Sequence, residues 1–182
     1  FHSIHLHSHK ISMIQRLIKH IITSQLIIYT IRCLIGFVIG YQLMLAFPKY
    51  DLFWLLLSII LVISPEGKDS RKLTIDRVRS NFIGSFVGLF YLLITQELAL
   101  ELLMLGIIIT SIICYLFKVM NMARVAIVAF LIILLQPHLS NIEFTPIVRF
   151  ATVTLGCLIG LMITVLTSIV IRKLKKHYEI SL

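Results

Sequence analysis

Acidic side chains are missing from the apolar interior of this chain. Asp51, Glu66, Asp69, Asp76, Glu97, Glu101, Glu143 and Glu179 all lie between apolar blocks or at their ends. A buried carboxylate relay is therefore not evident. Glu101, about one turn into its block, is the best candidate for a proton-coupling carboxylate, set against the simpler role of a solvated residue favoured by a helix start. Cysteine is as scarce: Cys33, Cys114 and Cys157 stand singly in apolar runs, with no Cys-x-x-Cys or Cys/His spacing, and read as small buried hydrophobes. Nucleophile–base motifs, glycine-rich phosphate loops and metal-ligand sets are also lacking. No catalytic residue, resident cofactor or metal is expected, and the chain does not read as an enzyme. His2, His5, His7 and His9 are crowded enough to hold a metal, but a solvated chain end is the plainer reading.

What is present is apolar. Hydrophobic residues make up 59% of the 182 positions and charged residues 14%, against about a quarter charged in ordinary soluble domains. The apolar residues come in blocks close to the ~20 residues that span a bilayer. Alternating in/out patterns for a membrane barrel are absent, so helices are the spanning element. We read spans over Leu26 to Phe47, Leu52 to Ser64, Val78 to Ile94, Leu98 to Phe117, Ala123 to Gln136 and Ile147 to Ile171. Residues 1–25 form a His-rich end and an amphipathic helix, with Ile14, Ile18 and Ile21 on one side and Arg16, Lys19 and His20 elsewhere. Residues 26–172 form the membrane domain and 173–182 a basic tail. The first block runs into the bundle without a small-residue cleavage site, so no cleavable signal is expected.

Basic residues orient the bundle. With the amino terminus inside, Lys10, Arg16, Lys19, Lys68, Arg71, Lys72, Arg77, Arg79, Lys118, Arg124, Arg172, Lys173, Lys175 and Lys176 share one side, 14 of the 17. The positive-inside rule then places both termini in the cytoplasm and the chain in a bacterial inner membrane. The formal charge of +9 flanks hydrophobic spans rather than lining one face, so membrane lipid headgroups, and not nucleic acid, are the expected partners.

An offset of 72 residues aligns Pro65 with Pro137, Arg77 with Arg149, Gly84 with Gly156 and Gly88 with Gly160. Two three-span halves, about 26–94 and 98–171, would cross the membrane in opposite senses, as an inverted repeat. The second and fifth spans are short, about 20 Å of helix against a hydrocarbon core of about 30 Å, and end at Pro65 and Pro137. Such segments point to a transport site, while a locally thinned bilayer is the bland alternative. Gly36/Gly40, Gly84/Gly88 and Gly156/Gly160 are small-xxx-small patterns that pack helices closely. Arg32, Arg77 and Arg149 lie one or two turns before them. An arginine at or inside the hydrocarbon needs a partner and marks a functional site by default; the alternative is a lipid anchor.

The runs Arg32-Cys-Leu-Ile-Gly36-Phe-Val-Ile-Gly40, Arg77-Val-Arg-Ser-Asn-Phe-Ile-Gly84-Ser-Phe-Val-Gly88 and Arg149-Phe-Ala-Thr-Val-Thr-Leu-Gly156-Cys-Leu-Ile-Gly160 resemble the fusaric-acid-resistance, or aromatic acid exporter, superfamily over about residues 26–172. Asn81 stands where that family often has Thr. The resemblance implies a six-span bundle exporting organic acids, similar in architecture to plant aluminium-activated malate channels, and puts Arg77 and Arg149 on the family's Arg-Gly motif. The expected function is export of organic, chiefly aromatic carboxylate, anions. Arg32, Arg77 and Arg149 would attract the carboxylate near Pro65 and Pro137, and a homo-oligomer, most simply a dimer, would complete the path. An anion channel at a dimer interface and a structural subunit of a larger efflux complex are the alternatives.

Overall fold

The computed structural model describes residues 24–48, 52–94, 99–135 and 145–177. Among these the protein is helical without strands. Its six α-helices are α1 (Gln25–Ala46), α2 (Phe53–Val62), α3 (Gly67–Ile94), α4 (Leu100–Leu116), α5 (Ala123–Leu135) and α6 (Thr145–His177), with one 3-10 turn, Met120–Met122. The His-rich end with its amphipathic segment, Lys49, Glu97, Pro137 and the last five residues lie outside the described set.

Several boundaries differ from those read in the sequence. The third helix begins at Gly67, not near Val78, so Lys68, Arg71, Lys72 and Asp76 are helical rather than loop. Nothing after Pro65 interrupts helix formation there, and Asp69 favours the first turn. Likewise α6 continues to His177, carrying Arg172 to Lys176 on its last turns, where cations suit the carbonyl end. The second helix is shorter than its apolar run: Ile63 is already extended, as expected two residues before a proline.

The contacts fix the helix directions. Ser70 on α3 meets Thr164 on α6 at 3.4 Å, and Phe82 meets Phe150 with ring centroids 5.4 Å apart, so α3 and α6 are antiparallel. The glycines then receive the two short helices. A Cβ on Gly84 would overlap the Ala126 carbonyl oxygen of α5, and one on Gly156 the Leu55 carbonyl oxygen of α2. Gly160 sits 2.7 Å, measured to an added Cβ, from the Ile59 carbonyl oxygen, and Gly88 lies against Ile133. Gly36 and Gly40 of α1 face Ile59 and Leu56 of α2, and Gly106 of α4 faces Phe130 of α5. The glycine faces of α1, α3 and α6 are thus filled by α2 and α5, not by one another. The long helix of each half packs on the short helix of the other.

Apolar cores form around these contacts, one of Leu52, Leu55, Ile59, Ile63 and Ile163, another of Val87, Tyr91, Phe130 and Leu134. The outward surface is equally apolar: Leu34, Phe37 and Val38 on α1, Phe82, Phe86 and Phe90 on α3, and Ile108 and Ile112 on α4 are all exposed. Gln25–Ala46 and Pro146–Lys176 are long and apolar enough to cross a membrane. At the end of α4, Lys118 takes the left-handed conformation (φ 56°) while Val119 N–H donates to the Cys114 carbonyl at 2.9 Å and Lys118 N–H to Tyr115 at 3.1 Å. This is the Schellman pattern, with buried Val119 and Cys114 closing it and a lysine where glycine costs least.

Two stability outcomes follow. Gly84→Ala and Gly156→Ala each lose about 2–3 kcal/mol because backbone must move, whereas Gly40→Ala, opposed by the mobile end of Leu56, costs less. Lys118→Gly gains about 0.5–1 kcal/mol. Thermal unfolding of the purified variants measures all four, and an unchanged melting point in Gly84→Ala would contradict the packing described.

Candidate functional site

Arg32 is the most completely coordinated charged side chain in the described bundle. It is 2% exposed. Its Nη1 donates to the carbonyls of Ser64 (2.6 Å) and Pro65 (2.8 Å), its Nε to Thr167 Oγ1 (2.9 Å) and its Nη2 to Ser168 Oγ (2.8 Å). The first two carbonyls lie just past α2, where no further turn of helix exists to satisfy them. A guanidinium has the fork to serve both while its charge meets the negative end of the helix. Ser64 N–H in turn donates to Ser70 Oγ (3.0 Å), and Ser70 Oγ meets Thr164 Oγ1, so one junction ties α1, the end of α2, the start of α3 and α6. Pro65 is exposed there and contributes its carbonyl. Pro137, the matching residue, lies outside the described set.

Arg77 and Arg149 are placed differently. They sit on α3 and α6, and the antiparallel register sets them about 12 Å apart along the contact of these helices, with Ser70 and Thr164 meeting beyond Arg77. Arg77 lies beside the Cys157 sulfur, and its Nε is buried without a hydrogen-bond partner. Arg149, 7% exposed, stacks on the Trp54 ring of α2 with its guanidinium carbon 3.8 Å from the ring centroid, a cation–π contact. No carboxylate among the described residues pairs with Arg77. Arg32 thus stands apart from the other two, at the α1–α2–α6 junction.

Between Arg77 and Arg149 lie two residues that sequence reasoning did not single out as ligands. Asn81 (3% exposed) and Ser85 (5% exposed) follow Arg77 at one-turn intervals on α3, and Asn81 Nδ2 and Ser85 Oγ have no partner. The spacing Arg77, Asn81, Ser85 was the available signal: three polar residues at i, i+4 and i+8 on the glycine-bearing helix. Thr167, Ser168 and Trp54 carried no such signal. Glu101 is exposed in the first turn of α4, and no group of three His, Cys, Asp or Glu gathers among the described residues to hold a metal.

Apolar outer faces and two membrane-length helices are the marks of a helical membrane protein. The model of the family described as fusaric acid resistance protein-like matches residues 27–163, and the chain belongs to that family. Membership points to a membrane transport or resistance role. No curated protein and no solved structure matches the chain.

The junction predicts that Arg32→Gln lowers stability by about 2 kcal/mol or more, leaving two carbonyls unserved, and that Arg32→Lys restores only part of it. Thermal unfolding in detergent measures this; wild-type stability in Arg32→Gln would refute it.

Proposed function

We propose that the protein moves organic anions, aromatic carboxylates first among them, across a bacterial inner membrane, with Arg77 and Arg149 as the anion-attracting groups. The observation that carries this reading is Arg77: a guanidinium held between α3 and α6, beside unpartnered Asn81 and Ser85, with no carboxylate of its own among the described residues. A half-buried cation with its Nε enclosed and no acid beside it favours an exogenous anion. Trp54, against Arg149, offers aromatic surface for a ring. Arg32 and Pro65 shape the path from the end of α2; with its donors taken, Arg32 acts on it through position.

An inverted repeat belongs to the same reading. The α3–α5 contact at Gly84 is matched by the α6–α2 contact at Gly156, and the α1–α2 contact at Gly36 by the α4–α5 contact at Gly106. These paired contacts support an exchange of α1, α2 and α3 with α4, α5 and α6 about a pseudo-two-fold axis through the α3–α6 contact. Arg71 and Lys72 of α3 share an end of the bundle with Arg172, Lys173, Lys175 and Lys176 of α6, through Ser70 and Thr164. This end is assigned to the cytoplasm, with both termini. A second copy against the apolar outer surface is assigned as the completing wall.

Transport of benzoate into vesicles tests the proposal. Arg149→Gln should lose most transport and Arg149→Lys keep part, since Lys retains the charge without the fork, with abundance near normal in both. Wild-type substrate affinity in Arg77→Gln combined with Arg149→Gln would rule the anion site out.

A further inference from the structure

Most buried hydroxyls of this bundle follow one rule. Ser58, Thr74, Thr110 and Thr164 donate to the carbonyl four residues back, and Ser80 and Thr152 to the one three back. That bond is available to any helical serine and removes the cost of burying its hydroxyl. Ser85 is in mid-helix, 5% exposed, and does not make it. One turn before, the Asn81 amide nitrogen is 3% exposed and equally without a partner, and one turn before that is the unpartnered Nε of Arg77. Burying a polar group without a partner is destabilising. Three in succession on one helix face is not what scattered packing faults produce.

Their chemistry names the missing partner. Arg Nε–H and Asn Nδ2–H2 only donate, and the serine hydroxyl can donate. The ligand must therefore accept, and with a guanidinium among the donors it is an anion. Each turn advances the row by about 6 Å, so the three donors span about 12 Å along α3. One small anion cannot occupy all three at once. The register of α3 against α6 sets Ser85 abreast of Arg149, so each end of the row has an arginine and the middle has a neutral amide.

We propose that Arg77, Asn81 and Ser85 form a donor ladder on α3 along which the carboxylate of the transported anion is passed between the two arginines. The inference rests on the anion-transport reading and assigns its intermediate subsite to Asn81 and Ser85. Two arginines alone would hold a carboxylate tightly at either end. Neutral donors between them bind weakly enough to release it onward, as passage through successive sites requires.

The test uses the full-length protein in lipid nanodiscs, with benzoate as probe, reading benzoate binding and the unfolding temperature of the ligand-free protein. Asn81→Leu and Ser85→Ala delete orphaned donors, so both variants are expected to be at least as stable as wild type without ligand. Benzoate affinity is expected to fall about tenfold or more in Asn81→Leu and several-fold in Ser85→Ala. Asn81→Asp, an isosteric change that sets a carboxylate beside Arg77, is expected to fold and to lose benzoate binding; it serves if Leu is too bulky. Lower ligand-free stability in Ser85→Ala would show its hydroxyl to be bonded within the bundle and would overturn the ladder. Wild-type affinity in Asn81→Leu or Asn81→Asp together with Ser85→Ala, with loss in Arg77→Gln, would also overturn it while the arginine site stood. Wild-type affinity in Arg77→Gln as well would remove both.

Discussion

At Gly84 the carbonyl of Ala126, and at Gly156 the carbonyl of Leu55, occupy the space that any side chain would need. Backbone therefore touches backbone where α3 meets α5 and where α6 meets α2. Helix association in lipid draws little from the hydrophobic effect, since lipid tails are as apolar as leucine, so close packing must supply it. The two short helices depend on these contacts most. Ten and thirteen residues of nearly all-apolar helix have no polar face to orient them, and the glycine grooves define where they sit. Because each groove belongs to the opposite half, neither half has its short helix fully packed alone, and α3 and α6 are drawn together as the shared spine.

That spine decides what each arginine can do. Arg32 arrives on α1 where α2 has run out of helix, and finds carbonyls and hydroxyls that absorb its donors; it is paired with backbone and works as a fastener. Arg77 arrives on α3 facing α6, whose nearby residues include a thiol and apolar groups, and finds no comparable set of acceptors. The same residue type, one to two turns before a glycine in both cases, is spent on structure in the first and left with donor capacity in the second. The difference lies in where the neighbouring helix ends, because only an open helix terminus offers free carbonyls to an incoming side chain.

Much of this was legible in the residues. Apolar blocks located the six helices, the 72-residue offset located the glycines that receive α2 and α5, and Pro65 marked the early end of α2. The start of α3 was not legible, because Lys68 to Asp76 are polar and equally good in a loop or a solvated helix; only packing of Ser70 and Thr74 against α6 decides. The partners of Arg32 were invisible for another reason. Thr167 and Ser168 lie 135 and 136 residues away, and nothing local distinguishes them from other hydroxyls in an apolar run. The crossing of halves was hidden likewise, since a small-xxx-small pattern says that a helix will be approached closely but not by which neighbour.

The 72-residue offset also bears on the place Asn81 holds. Under the offset, Arg77 corresponds to Arg149, Ser85 to Cys157 and Asn81 to Val153, and the antiparallel register brings the last two abreast at the middle of the spine. Groups at the ends of such a spine come in pairs, so each arginine faces the partner of the other half: Arg77 beside Cys157, Arg149 abreast of Ser85. A valine and an asparagine fit where two asparagines would satisfy each other with reciprocal amide bonds and close the gap. The mismatch of Asn81 with Val153 under the offset leaves the Asn81 amide nitrogen without a matching amide, and it has no partner where α3 meets α6.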